Sequence, residues 1–104
     1  MPLMEISIVP VGTAKPSVSR EIARSIKILG KRKGIRYRLT AMGTIVQARS
    51  LRRLFEIALL MHKSVLRNRV RRVVTTIKID DRIDKKLTFE KKLQSLQKQL
   101  NGLR

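Results

Sequence analysis

The run Val73-Val-Thr-Thr-Ile-Lys-Ile79 constrains the fold more than any other part of the chain. Six of its seven residues are β-branched, which suits a pleated strand and crowds a helix. Extended, it sets Val73, Thr75, Ile77 and Ile79 on one face and Arg72, Val74, Thr76 and Lys78 on the other. Apolar side chains on both faces place such a strand inside a sheet or against a second chain. Arg69, Arg71 and Arg72 precede it and Asp80, Asp81 and Asp84 follow.

Upstream, Met4, Ile6 and Ile8 alternate with Glu5, Ser7 and Val9, a half-buried strand that Pro10 stops. A loop through Gly12, Thr13 and Pro16 leads to Ser17 or Ser19, either of which can cap a helix. That helix carries an apolar stripe of Ile22, Ile26 and Leu29 and ends at Gly30. Ile35, Tyr37 and Leu39 alternate with Arg36 and Arg38, and after a bend at 41–43 the strand pattern resumes from Thr44 to Gln47. From Ser50 to about Asn68 a longer helix is expected, its face formed by Leu51, Leu54, Phe55, Ala58, Met61, His62 and Val65. Thr88 caps a last helix with leucines at 93, 96, 100 and 103, a narrow seam suited to a sheet edge or a partner helix.

The order is strand, helix, strand, strand, helix, strand and an extra C-terminal helix. It predicts an α+β, ferredoxin-like βαββαβ sandwich: one antiparallel sheet with two helices on one face. The other face, carrying Val9, Val46 and Val74, is expected to be partly covered by another chain. With 104 residues, 42% of them hydrophobic, the chain has material for one domain over 1–104. No apolar run approaches the roughly 20 residues of a membrane span. No signal peptide is evident and there is no cysteine, so a cytoplasmic chain without membrane partners is expected.

Charge sets the second constraint. The net charge is +18, with eleven basic and two acidic residues through Arg52 and fourteen and five after it. Such an excess makes a nucleic-acid-binding module the alternative function, contacting phosphates through Lys31, Arg32 and Lys33 and through Arg67, Arg69, Arg71 and Arg72. Three aromatic residues, Tyr37, Phe55 and Phe89, are too few for a base-stacking platform. No nucleophile–base pair, P-loop or histidine–carboxylate cluster appears, so neither an enzyme nor a cofactor is expected. The lone His62 reads as structural, and Asp80, Asp81 and Asp84 read as ion-pair partners of their basic neighbours rather than metal ligands.

Four segments carry a resemblance: Met4-Glu-Ile-Ser-Ile-Val-Pro-Val-Gly-Thr13, Ser17-Val-Ser19, Tyr37-Arg-Leu-Thr-Ala-Met-Gly-Thr44 and Arg72-Val-Val-Thr-Thr-Ile-Lys-Ile-Asp-Asp-Arg-Ile-Asp84. Over roughly residues 3 to 93 the chain resembles the small thiamine-binding protein family, stand-alone relatives of the YkoF-type binders of thiamine and hydroxymethylpyrimidine. The resemblance implies a ferredoxin-like fold, homo-oligomers (dimer or tetramer) assembled through the sheets, and a non-catalytic pocket for a pyrimidine-type ligand. It assigns ligand contacts to Gly12, Thr13, Ser17 and Ser19 in the first loop, and to Met42, Gly43, Thr44 and Gln47 in the middle of the chain. Hydroxyls and backbone N–H groups can read ring nitrogens and an amino group, while a methionine offers a polarizable contact. Relatives often read Pro-Met-Gly-Thr, then Glu-Gly two residues on; here Ala41 replaces the proline, and Gln47-Ala48-Arg49 stands where the acidic residue and the glycine would be. A neutral amide in so positive a chain predicts a neutral or phosphorylated pyrimidine over cationic thiamine.

Overall fold

The alternation of Met4 to Val9 becomes the middle of a sheet. A computed structural model describes residues 1–13, 19–67 and 69–103. Its elements are β1 Leu3–Pro10, α1 Ser19–Gly30, β2 Ile35–Leu39, β3 Thr44–Ala48, α2 Leu51–Val65, β4 Val73–Asp80 and α3 Phe89–Gly102. The sheet order is β2-β3-β1-β4, with every neighbouring pair antiparallel. This is the ferredoxin-like arrangement the pattern predicts.

The core lies between the sheet and α1 and α2. Met4, Ile6 and Ile8 of β1 and Val46 and Ala48 of β3 meet Leu29 of α1 and Leu54, Ile57, Met61 and Val65 of α2, all buried. Ser50 caps α2, its hydroxyl accepting from the Arg53 N–H at 3.1 Å. His62 is held by a 2.7 Å hydrogen bond between its Nδ1 and the Thr75 hydroxyl of β4.

Four expectations are corrected by long-range packing. Of the two placements expected for the Val73–Ile79 strand, inside a sheet or against a second chain, the first is overturned: the strand lies at an edge, and β1 takes the interior position. Val46 pairs with Met4 and is fully buried on the helix side, so only Val9 and Val74, paired with each other, stand on the open face. In α1 the buried side chains are Ser25 and Leu29, while Ile22 and Ile26 are only half covered. In α2 the broad face divides: Leu51 and Phe55 are exposed together with Leu59, whereas Leu54, Ala58, Met61 and Val65 are buried.

α3 crosses to the open face and docks only by its first turns. Phe89 packs with Leu3 and Leu87, and the guanidinium carbons of Arg36 and Arg38 each lie 5.5 Å from its ring centroid. Arg36 pairs with Glu90, Lys92 pairs with Asp80, and the Thr88 hydroxyl accepts from the Lys91 N–H at 3.2 Å. The buried Gln47 closes this joint, its Oε1 accepting from the Phe89 N–H at 3.3 Å. Leu93, Leu96, Leu100 and Leu103 remain exposed.

Two outcomes follow from this end of the fold. Gln47→Ala strands a buried N–H and should cost about 1–3 kcal/mol in urea unfolding. Gln47→Glu keeps an oxygen at the positive end of the α3 dipole and should lose less; equal losses would contradict the cap. Before α3, Arg82 Nε donates to Asp84 at 2.7 Å, and this bond lowers the Asp84 carboxyl from 3.8 to about 2. A carboxyl depressed on folding contributes fully above its unfolded value and is lost as pH falls through the folded one. The clasp should therefore open between about pH 4 and about pH 2. An NMR titration of the Asp84 side chain should give the low midpoint and Arg82→Gln should raise it; a midpoint near 3.8 in the unaltered chain would refute the clasp.

Candidate functional site

β1 is longer than its partner on one side. It pairs with β4 along its whole length, from Leu3 with Asp80 to Pro10 with Val73, but with β3 only from Leu3 to Ile6. The chain turns at 40–43, so among the described residues no strand continues β3 alongside Ser7 to Pro10. α1 packs chiefly on α2; Ile35 of β2 reaches the core, but the helix-side face of β2 is open from Tyr37 onward. Tyr37 and Leu39 are therefore 40% and 58% exposed, although they share a face with the buried Val46 and Thr44.

The gap is a cleft of about 970 Å³. Ile22 and Ile26 of α1 form one wall, Tyr37 and Leu39 the other, and Ile6 and Thr44 lie at its base. A flat apolar slot with a few hydroxyls suits a small heteroaromatic ring. The Thr44 side chain, 5% exposed, makes no hydrogen bond among the described residues. Its hydroxyl is available to a ligand as donor and acceptor.

The hairpin at the rim is held by Thr40. Its hydroxyl donates to the Gly43 carbonyl at 2.9 Å and accepts from the Gly43 and Met42 N–H groups at 3.1 and 3.3 Å. Gly43 runs so close to β1 that a Cβ there would meet the Ile6 carbonyl oxygen at 3.0 Å. Met42, 86% exposed, projects from the tip. Gly12 has φ +77, a left-handed turn that glycine adopts without strain, where the chain leaves β1.

The residues singled out in the sequence divide accordingly. Ser19, Met42, Gly43 and Thr44 line this one cleft. Gly12 and Thr13 lie past its β1 wall and are not part of the lining, and Ser17 falls outside the described residues. Gln47 faces the opposite side of the sheet, where it caps α3. Its neutrality therefore has no direct bearing on a ligand in the cleft. Sequence reasoning missed Ile22, Ile26, Tyr37 and Leu39 as cleft residues, because their periodicity is that of ordinary core.

The cleft is positively charged. Lys27 and Lys31 line it, and no carboxylate among the described residues does. Asp80 and Asp84 are engaged elsewhere by Lys92 and Arg82. Among the described residues no group of three or more metal-ligating side chains converges, and no helix is long and apolar enough to cross a membrane.

Known proteins share this fold. The family model described as thiamine-binding protein matches residues 4–97. The UPF0045 protein YqgV of Bacillus subtilis is 40% identical over 106 residues, covering 96% of this chain and 98% of its own. The crystal structure of a hypothetical protein of Methanocaldococcus jannaschii aligns with TM-score 0.82 at 34% identity, over 91% of this chain and 94% of that one. A Thermotoga maritima protein provisionally assigned to thiamine biosynthesis or salvage has the same fold, with TM-score 0.75 at 18% identity over 91% and 97% of the two chains. By the extent of the family match and the identity to its relatives, the chain belongs to the thiamine-binding protein family.

Proposed function

We propose that this protein binds, without transforming it, a pyrimidine of the thiamine type in the cleft between α1 and the β2–β3 hairpin. The family supplies the ligand class. The observation that carries the choice among such ligands is an apolar slot lined by Lys27 and Lys31 without a described carboxylate. A thiazolium cation would enter against like charge, whereas a phosphate would gain a charge-assisted partner. A phosphorylated or neutral pyrimidine is the favoured ligand. Ser19, Met42, Gly43 and Thr44 supply the contacts, with Gly12, Thr13 and Ser17 on the chain that leads into α1.

Calorimetry with thiamine, thiamine phosphate and hydroxymethylpyrimidine tests this reading. Thiamine should bind weakest of the three. Lys31→Gln should weaken thiamine phosphate about tenfold, the loss of one charge-assisted contact, and leave hydroxymethylpyrimidine within about twofold. Tightest binding by thiamine, unchanged in Lys31→Gln, would overturn it.

The same reading includes a homo-oligomer, for which the β4 edge offers a specific surface. β4 is an eight-residue strand with one unpaired edge, a template for further pairing. Leu51, Phe55 and Leu59 share the flank of α2 from which His62 reaches Thr75, and Ile77 lies two residues farther along that face of β4. All four are at least 39% exposed. At +18 per chain, association should strengthen with salt. Light scattering at moderate salt should give a dimer or tetramer, and Phe55→Glu with Leu59→Glu should lower the mass. A monomer over a wide concentration range would contradict the assembly.

A further inference from the structure

We propose that the end of the sheet where β3 and β4 finish is a nucleic-acid-binding surface that grips the phosphate backbone. Leu3 pairs with both Gln47 and Asp80, and Ile35 pairs with Ala48, so the start of β2 and the ends of β3 and β4 stand side by side. Three connectors leave from this one end. The first carries Lys31, Arg32 and Lys33, the second Arg49 with Arg52 just beyond it, and the third Arg82, Lys85 and Lys86.

The third connector and α3 enclose a groove of about 610 Å³ that gathers Arg82, Lys85, Lys86, Lys91, Lys92 and Lys98. Its nearby acids are spent, Asp80 on Lys92 and Asp84 on Arg82. Among the described residues, Lys86, Lys91 and Lys98 pair with no carboxylate, and Lys85 forms no ion pair although its charge acts on Asp84; Asp81 is the remaining acid on this connector. The connectors cited for phosphate contact from sequence alone, 31–33 and 67–72, lie at opposite ends of the sheet, and only the first belongs to this surface.

Dimensions and chemistry fit a backbone. Four strands at about 4.8 Å spacing span about 14 Å, over which a duplex presents about eight charges. Along α3, Lys91 to Lys98 covers about 10 Å. Lysine ammonium groups are point charges that meet phosphate without reading bases. Phe89, the aromatic residue at this end, is buried, which leaves no ring for base stacking. A membrane surface fits less well. Helical spacing sets Lys91 and Lys98 on the side of α3 opposite Leu93 and Leu96, which line a cavity with Leu3 and Ile45 of the sheet, so the side that carries the lysines offers lipid no apolar face to bury.

The test is independent of the cleft. Anisotropy of a labelled mixed-sequence DNA duplex of about two turns is followed from about 50 to about 200 mM salt, with a log–log slope near −4 to −5 expected for about five phosphates. Two variants each remove three charges: Lys85→Gln/Lys86→Gln/Lys91→Gln in the groove, and Arg69→Gln/Arg71→Gln/Arg72→Gln at the far end. The groove variant should bind about a hundredfold more weakly and the far variant within about threefold, with circular dichroism confirming both folds. Lys98→Gln alone should weaken binding about five- to tenfold. Equal losses in the two triple variants would reduce the effect to net charge and overturn the proposal. So would no binding at about 100 mM salt, or tighter capture by phosphatidylserine vesicles than by the duplex.

Discussion

The structure depends on β1 being paired on both sides over unequal lengths. Its helix-side residues Met4, Ile6 and Ile8 are the centre of the core, and its backbone joins β3 to β4. The full-length match with β4 makes a long edge. The short match with β3 ends at Ile6 and Thr44, and the hairpin turns away there. The cleft is the space that this inequality leaves between α1 and the hairpin. Gly43, pressed against the Ile6 carbonyl, is the point at which the turn and the central strand are fitted together.

Charge is organised around the same frame. Of the seven carboxylate residues, Glu5, Glu56, Asp80, Asp84 and Glu90 each meet a lysine or arginine. These pairs are exposed, so each contributes little to stability. Their greater effect is to consume nearly all the negative charge locally. In the cleft no described carboxylate faces Lys27 and Lys31, and at the end of the sheet the remaining cations outnumber the one unpaired acid, Asp81, so both surfaces favour anions.

Much of this was legible in the sequence because it is periodic and local. Alternation marked β1 and β2, Ser50 and Thr88 marked the helix starts, and the element order implied the sandwich. What was not legible depends on contacts between distant segments. The two-sided apolar strand Val73–Ile79 looks interior from its composition, yet only the pairing of Leu3 with both Gln47 and Asp80 decides which strand is central. The side on which Val46 falls follows from the same register. Ile22, Ile26, Tyr37 and Leu39 have the spacing of core residues, and only the placement of α1 leaves them around a cleft. Gln47 was drawn toward the ligand by its neighbours in sequence, while alternation along β3 turns it to the other face and to α3.

The central claim is that a ligand occupies the space between α1 and the β2–β3 hairpin, and methyl NMR with thiamine phosphate locates the ligand directly. The account predicts shifts at Ile22, Ile26, Leu39, Met42 and Thr44, with Leu93, Leu96 and Leu100 of α3 unmoved. Shifts confined to Leu3, Ile45 and the α3 leucines would place the ligand on the opposite side of the sheet and contradict it.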